Sequence, residues 1–226
     1  MSKKVAWAEM ARKVAHEIKN PLTPIQLSAE HLINVYNDKS ENFDAALKES
    51  TSYIIHEVEN LRRIAHEFLE TSKEGELQKD ILDLQDIIDE TIIPYKKILT
   101  ERIQIKEHIR GEDFQFLGDK VKIKIALRNI LTNAIEAIHK KGVISISLSR
   151  QNKKLKLVIQ DTGAGIDQDM LDRIFEPYFS TKNVGTGLGL PIAKKIIEDH
   201  DGSIEAFSQE NKATTITIRL PGIQPE

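Results

Sequence analysis

The chain of 226 residues is long enough for one large domain or two small ones, and a hydrophobic fraction of 40% is enough for ordinary cores. The formal charge is −3, with 32 Lys and Arg against 35 Asp and Glu, so neither nucleic acid nor an anionic membrane is expected as a partner. Cysteine is absent, which excludes disulfides, thiolate zinc sites and cysteine nucleophiles. No apolar run approaches the roughly 20 residues of a membrane helix, so we expect a soluble, cytoplasmic fragment without membrane contact, whose full-length parent could still be membrane-anchored.

Residues 7 to 68 contain two stretches in which apolar positions recur every three or four residues, the spacing of an amphipathic helix. Between them, NDKSENFD at 37–44 is rich in residues that favour turns and helix caps. Two such helices should fold back as an antiparallel hairpin, and because a hairpin buries only one stripe on each helix, we expect a homodimer that completes a four-helix bundle. The apolar stripes are Trp7, Met10, Val14, Ile18, Pro21, Ile25, Ser28, Leu32 and Val35 on the first helix, and Leu47, Ile54, Val58, Leu61, Ala65 and Phe68 on the second.

A polar stretch with two prolines, VAHEIKNPLTP at 14–24, interrupts the first helical pattern. His16 falls outside the apolar stripe, so its ring should be exposed, with Glu17 adjacent and Asn20 one turn further along the same face. The neutral, nucleophilic form of an imidazole is well populated near pH 7. Pro21 removes a backbone hydrogen bond and should bend the helix just after these residues. We expect the other six histidines to be ordinary surface or core residues: His31, His56, His66, His108, His139 and His200.

The pattern changes near residues 73 to 79, which predicts two domains, 1–75 and 76–226. In the second, helical stretches alternate with short strands rich in β-branched residues, an order typical of an α+β, two-layer α/β sandwich with helices on one face of a sheet. We predict helices at 84–99, at 119–139 with Asp119 as the cap, and at 191–199. We predict strands at 102–109 and 113–118, a hairpin at 142–161 with QNKK at its tip, and a last hairpin that pairs 203–208 with 214–221.

Three stretches in this second domain point to nucleotide chemistry: DTGAGI at 161–166, IFEPYFSTK at 174–182 and GTGLGL at 185–190. Asp161 follows a strand, where its carboxylate can accept a hydrogen bond from an amine such as the exocyclic nitrogen of adenine. Gly163 and Gly165 would let the backbone turn sharply and approach a flat ring. Glycines commonly serve turns, so a single stretch of this kind is weak evidence.

The last of these stretches places Gly185, Gly187 and Gly189 just ahead of a helix that has Pro191 near its first turn. The exposed N–H groups of a helix N-terminus bind phosphate, so this stretch is a natural cradle for one. In the helix at 119–139, Asn129 and Asn133 are four residues apart and share a face, and amide oxygens suit Mg²⁺. Taken alone, two such asparagines are more often a solvated face.

In order, Asn133 in NILTNA, DTGAGI, the phenylalanine stretch and GTGLGL resemble the N, G1, F and G2 boxes of the sensor histidine kinases. That family has the Bergerat (GHKL) ATP-binding fold, shared with gyrase, Hsp90 and MutL. VAHEIKNPL resembles the H box of the same kinases, and WAEMARKVAHEIKNPLTPIQLSAEHL with LRRIAHEF is similar to their NtrY-like branch. The resemblance covers the chain from about residue 7 to 221.

The resemblance implies that the second domain binds ATP and Mg²⁺. Asn133 would coordinate the metal with Asn129 on the same face, Asp161 would recognise adenine, and Thr214 resembles an adenine-side threonine. Lys182 would neutralise phosphate charge, although a lone lysine on a loop is more often solvated. Phe175 and Phe179 would anchor the lid, for which ordinary core packing is an alternative. The glycines that would shape the pocket and lid are Gly163, Gly165, Gly185, Gly187 and Gly189.

For the helical hairpin, the resemblance implies that His16 accepts the γ-phosphoryl group of ATP and passes it to an aspartate in the receiver domain of a response regulator. Glu17 would flank the ring as a general base through a water, or would fix its tautomer. Asn20 would orient a water that removes phosphate from the regulator.

Two positions depart from related proteins. Asn129 stands where related ATPases of this fold carry the glutamate that activates water, which argues for phosphoryl transfer over hydrolysis. Glu136 stands where many histidine kinases carry a basic residue, which gives Lys182 more weight as the phosphate contact. Two alternatives to a kinase are a nucleotide-gated ATPase or dimerisation clamp, which Asn129 argues against, and a scaffold without kinase activity, which the intact motifs argue against.

Overall fold

The computed structural model describes residues 3–39, 42–72, 77–99, 102–180 and 187–223, and the chain divides into two compact units, residues 1–74 and 75–226. In the first unit, α1 (Lys3–Asn37) and α2 (Phe43–Ser72) pack against each other as a hairpin. The helix α1 continues through both Pro21 and Pro24. At the closed end of the hairpin, the ring of Tyr36 meets the ring of Phe43 edge-on, with 5.8 Å between centroids.

The apolar stripe predicted for α1 faces α2. Among its described side chains Pro21 is buried, and the others are half-buried: Ile18, Ile25, Ser28, Leu32 and Val35. The side chains of residues 1–14 and of residue 16 lie outside the part that the structure describes.

The stripe predicted for α2 is only partly covered within a single chain. Ile54 and Leu61 are half-buried, but Leu47 and Val58 are 39% and 40% exposed, and Ala65 is exposed as well. Among the described side chains of α2, Ser50 and Ile64 are buried. The physical reason is that α1 covers α2 from one side only, so predicted positions at the edge of that contact stay exposed in a single chain. The side chain of Phe68 lies outside the described residues.

The second unit has the order β1 (Asp80–Asp83), α3 (Leu84–Ile98), β2 (Ile103–Arg110), β3 (Gln115–Gly118), α4 (Lys120–Ala137), β4 (Gly142–Gln151), β5 (Lys154–Asp161), α5 (Gln168–Leu171), α6 (Gly189–Asp199), β6 (Ser203–Gln209) and β7 (Ala213–Pro221). Five strands form one sheet in the order β2-β4-β5-β7-β6, in which only β2 and β4 are parallel. A separate antiparallel ribbon pairs β1 with β3.

The strands of the five-stranded sheet alternate between a buried and a more polar face. In β4, for example, the residues at 144, 146 and 148 are buried isoleucine and leucine, whereas 145, 147 and 149 are half-buried serines. The helices α3, α4 and α6 lie over the buried face and supply much of the core, including Ile87, Ile130 and Ile197. Each such side chain, when fully buried, stabilises the fold by about 1.5–3 kcal/mol. This arrangement is the predicted two-layer α+β sandwich.

Three details differ from the elements expected from the sequence. The strand β1 and the one-turn helix α5 were not predicted, because four residues are too few to show a period. The helix α4 ends at Ala137, two residues early, since Ile138 is already extended (φ −92°, ψ 101°). The helix α6 begins at Gly189 and not at Pro191, so this glycine is the first residue of the helix. No helix in the described part of the chain is long and apolar enough to cross a membrane.

The start of α4 is held by two side chains. Asp119 caps the helix, as predicted, and accepts hydrogen bonds from the backbone N–H groups of Val121 and Lys122 at 3.0 and 3.1 Å. His200, buried at the end of α6, accepts a hydrogen bond from the N–H of Asp119 at Nε2 (2.9 Å) and donates from Nδ1 to the carbonyl of Ile196 (2.7 Å). These two bonds define a neutral ring, so His200 is a core residue that joins the ends of two helices.

A pair of carboxyl groups lies between α3 and β2. Burial raises the pKa of Asp89 above its ordinary value of 3.8, and a hydrogen bond and charge repulsion from Glu107 raise it further, while Lys96 opposes the shift. The amine of Lys96 also contacts Glu107. The folded state therefore binds a proton at Asp89 more tightly than the unfolded chain does.

Replacing Asp89 with Asn should therefore stabilise the protein near neutral pH. A raised folded-state pKa contributes stability below the unfolded value of about 3.8, and this contribution is lost as the pH rises through the folded value. We expect Asp89→Asn to raise the free energy of unfolding at pH 7 by up to about 1 kcal/mol in urea titrations, because the pair is partly solvated. The gain should vanish at pH 3, and the exposed Glu112→Gln should change nothing. A gain that is equal at pH 3 and pH 7 would contradict this account.

Candidate functional site

Two polar side chains are buried opposite each other at one end of the large sheet. Asp161, the last residue of β5, pairs in register with Thr214 of β7, and their exposed fractions are 5% and 7%. Directly opposed residues of an antiparallel pair point to the same face, with Cβ atoms about 5 Å apart. The sheet thus brings together the two residues to which the resemblance assigned a role at adenine.

The loop after β5 is held between two neighbouring backbones. The N–H of Gly163 donates to the carboxylate of Asp161 (2.8 Å), and the next N–H, of Ala164, donates to the carbonyl of Ala137 at the end of α4 (3.1 Å). A Cβ on Gly163 would lie 2.7 Å from that carbonyl oxygen. Gly165 has a φ of +70°, and a Cβ there would lie 2.3 Å from the carbonyl oxygen of Gln209. Only glycine fits at these two positions, so both glycines determine the path of the loop beside Asp161.

A serine that sequence reasoning missed connects this loop to Thr214. Ser208, on β6, is 5% exposed. Its Oγ atom lies 2.8 Å from the backbone nitrogen of Ile166, 2.9 Å from the carbonyl oxygen of Ala213 and 3.0 Å from Oγ1 of Thr214. Ser208 and Thr214 are register partners in the last hairpin, so pairing the two predicted strands around their turn would have shown this contact.

Of the two asparagines of α4, Asn129 lies beside the start of α6. Both are half-buried, and an ideal Cβ on Gly189 would lie 3.7 Å from Cβ and Oδ1 of Asn129. Asn133 follows one turn later on the same face. The described residues include no group of three or more His, Cys, Asp or Glu side chains that could hold a metal. Amide oxygens from this face, completed by phosphate oxygens, would suit a hard cation such as Mg²⁺.

Within the described residues, the N-cap position of α6 supplies no side-chain hydrogen bond to the first turn. The residue at this position is Leu188, whose side chain has no acceptor for the first N–H groups of the helix. These groups and the positive end of the helix dipole favour an anion at this point. Gly189, the first helical residue, places no side chain at this helix end.

The phenylalanine stretch packs against the glycine stretch that follows it. The N–H of Tyr178 donates to the carbonyl of Gly187 (3.0 Å). Gly187 has a φ of +63°, and a Cβ there would lie 2.7 Å from the carbonyl oxygen of Phe179. These contacts join the residues on either side of segment 181–186. That segment, which includes Lys182 and Gly185, lies outside the described residues.

Both phenylalanines of this stretch are half-buried and each lies under a cation. Phe175 packs on the core and lies 5.5 Å below the amine of Lys194, and Phe179 lies 4.4 Å below the guanidinium of Arg173. The packing of Phe175 agrees with the alternative of ordinary core packing.

The predicted residues of the first unit all lie on α1. His16 is within the helix, although its side chain is outside the described part. Glu17 is half-buried and Asn20 is exposed. His16 and Asn20 are four residues apart and so lie one above the other on one face. They belong to a different compact unit from the cluster around Asp161.

Two family models match the chain. Residues 6–77 match the His Kinase A (phospho-acceptor) domain, and residues 118–224 match the histidine kinase-, DNA gyrase B- and HSP90-like ATPase domain. Among similar proteins, sporulation kinase B of Bacillus subtilis is 33% identical over 96% of this chain and 50% of its own length. The nitrogen regulation protein NtrY of Azorhizobium caulinodans is 37% identical over 98% of this chain and 29% of its own length. The chain thus spans half or less of these relatives.

A solved structure of similar shape is that of histidine kinase ThkA in complex with the response regulator protein TrrA. It is 30% identical, with a TM-score of 0.79 over 95% of this chain and 61% of its own. The relatives named NtrY confirm the resemblance expected from the first helix. With a phospho-acceptor domain followed by this ATPase domain in one chain, the protein belongs to the sensor histidine kinase family.

Proposed function

We propose that this chain is the ATP-dependent kinase core of a two-component system. Residues 76–226 bind ATP, and residues 1–75 form the dimerisation and phosphotransfer hairpin that carries the acceptor, His16. The phosphoryl group then passes to an aspartate of a response regulator receiver domain, and because ATP is its donor, the reaction takes place in the cytoplasm. The observation that carries the proposal is the buried Asp161 opposite Thr214, held by a glycine loop, in a domain that matches an ATPase family.

At the base end of the site, the carboxylate of Asp161 accepts a hydrogen bond from the exocyclic amine of adenine. It is already oriented by the N–H of Gly163 at 2.8 Å, so little reorganisation accompanies binding. Gly163 and Gly165 carry no side chain that would block a flat ring. Thr214 lies beside Asp161 on the same face of the sheet.

At the phosphate end, the first turn of α6 receives the phosphates, with Gly187 as the turn that leads into it. Asn133, with Asn129 on the same face, would hold Mg²⁺, whose charge offsets that of the phosphates. Lys182 and Gly185 lie in the sequence between Phe179 and Gly187, in the segment that the resemblance assigns to a lid over the nucleotide. Phe175 and Phe179 would anchor this lid at the end that precedes it.

The amide of Asn129 favours transfer over hydrolysis. Its Oδ1 lies near the start of α6, where the phosphates are proposed to bind. An amide cannot take a proton from water, so the chain has no base at this position to activate water against the γ-phosphate. Phosphoryl transfer then depends on a nucleophile that the protein itself brings to the nucleotide.

That nucleophile is a ring nitrogen of His16. Its lone pair forms the N–P bond while the bond between the γ-phosphorus and the bridging oxygen breaks and leaves ADP. The product ring carries a proton on its second nitrogen, and Glu17, next in sequence, accepts this proton or holds it in a hydrogen bond. Asn20 is exposed one turn away, where its amide can orient a water for dephosphorylation of the regulator.

Apolar side chains on one flank of the hairpin support a homodimer. With 100° of rotation per residue, Leu22 and Ile33 lie about 100–120° from the buried Pro21. On α2, Leu47 and Val58 lie about 60–80° from the buried Ser50. These side chains are between 39% and 59% exposed in the single chain. We infer that a second copy covers this flank and completes the four-helix bundle.

The acceptor assignment is tested by replacing His16. After incubation with γ-³²P-labelled ATP and Mg²⁺, the wild-type chain should carry an acid-labile label, and His16→Gln should reduce it to background, because no other ring takes its place. His31→Gln, an exposed histidine on the same helix, should keep full labelling. Acid-labile label in His16→Gln, or steady phosphate release by the wild type without any phosphoprotein, would contradict the proposal.

The dimer is tested with two matched surface changes on α1. Ile33 and Leu27 are each 59% exposed but lie on opposite flanks of the helix. We expect Ile33→Glu to lower the mass measured by light scattering at micromolar concentration from twice 25.6 kDa towards 25.6 kDa, because it places a charge in the proposed interface. Leu27→Glu should remain dimeric. A wild-type chain that is monomeric, or an Ile33→Glu variant as dimeric as Leu27→Glu, would overturn this interface.

A further inference from the structure

The buried Ser208 has three hydrogen-bond partners and one proton. It lies on β6 with its Oγ atom within 3.0 Å of the nitrogen of Ile166, the carbonyl oxygen of Ala213 and Oγ1 of Thr214. A hydroxyl group has one donor and two acceptor positions. The three partners therefore use its full hydrogen-bonding capacity, and the direction of each bond can be worked out.

The directions follow from what each partner is able to do. The carbonyl of Ala213 can only accept, so it takes the proton of Ser208. The N–H of Ile166 can only donate, so it uses one lone pair of Ser208. The second lone pair is left for Thr214, which must then donate its own proton to Ser208. The hydroxyl of Thr214 is thereby oriented, and towards the rest of the site it presents lone pairs only.

The same end of the site then presents two acceptors side by side. Thr214 and Asp161 are register partners on the buried face, and an ionised carboxylate is also only an acceptor. Two adjacent acceptors match a group that carries two N–H donors, such as the exocyclic amino group of adenine. They do not match a purine that has hydrogen or oxygen in that place.

We propose that Ser208 is a positioning residue that makes this site selective for a 6-aminopurine, by holding the proton of Thr214 away from the base. This inference rests on the proposed binding of ATP at Asp161. Ser208 also ties the glycine loop through Ile166, so one side chain sets both the path of the loop and the polarity of Thr214. Without Ser208, the hydroxyl of Thr214 is free to turn its proton to its neighbour Asp161 and to compete there with the amino group of the base.

The test compares two nucleotides that differ only at this amino group. Dissociation constants are measured by calorimetry for ATP and for purine riboside 5′-triphosphate, which has hydrogen in place of the amine, on the 226-residue chain with Mg²⁺. Every sample, the otherwise wild-type chain included, carries His16→Gln, so that no phosphoryl transfer adds to the heat of binding. The variants are Ser208→Ala, Thr214→Val and their combination. The matched controls are Thr214→Ser, which keeps the hydroxyl, and Ser147→Ala on the opposite face of the sheet.

We expect the wild type to prefer ATP, and Ser208→Ala to reduce that preference about fivefold, the value of one hydrogen bond. Thr214→Val should reduce it by a similar factor, the double variant no further than either single one, and both controls should keep it within about twofold. A merely structural serine would weaken both nucleotides equally, and an unchanged ratio in Ser208→Ala would overturn the inference. If that variant does not fold, an equal ratio in Thr214→Val and Thr214→Ser overturns it instead. Failure of the wild type to bind either nucleotide would reject the proposed function itself.

Discussion

The register of β5 against β7 is the constraint on which the rest of the site depends. The two strands pair from Lys154 opposite Pro221 to Asp161 opposite Thr214. The alternation that buries leucine and isoleucine along both strands also turns these last two polar residues inward. A slip of β5 by one residue would move Asp161 to the opposite face, away from Thr214, together with every apolar side chain of that strand. The hydrophobic core therefore positions the two polar side chains, and a change that loosens the core would disturb the proposed recognition of the base.

The glycines of the site act mainly through what they let the backbone do. Gly163 lies against the end of α4, Gly165 against the turn between β6 and β7, and Gly187 against the backbone of Phe179. Each contact is closer than a Cβ would allow, and two of the three have a positive φ. The contacts of Gly163 and Gly165 hold the loop after β5 against two other parts of the domain. We therefore expect nucleotide binding to involve little ordering of this loop.

The features that the sequence predicted correctly were local ones. Alternating strands, the Asp119 cap and the ordered motifs can each be read from neighbouring residues, and the sheet and helices follow them. Apart from short elements and helix ends, what the sequence did not show were contacts that depend on another part of the chain. Leu47 and Val58 are exposed in a single chain, because spacing does not say whether the partner helix or a second copy covers that side of α2. Ser208 was missed because the pattern of a single strand shows only that its side chain points inward. The register of the hairpin is needed to show that Thr214 lies opposite.

The central claim, that the base of ATP is read by Asp161 at the end of β5, is tested most directly by a crystal structure of this chain with Mg²⁺ and a non-hydrolysable ATP analogue. The account predicts the 6-amino nitrogen of adenine within about 3.2 Å of an Asp161 carboxylate oxygen, and the phosphates at the first turn of α6 near Gly189. A bound nucleotide whose base lies elsewhere, with no contact to Asp161, would contradict it.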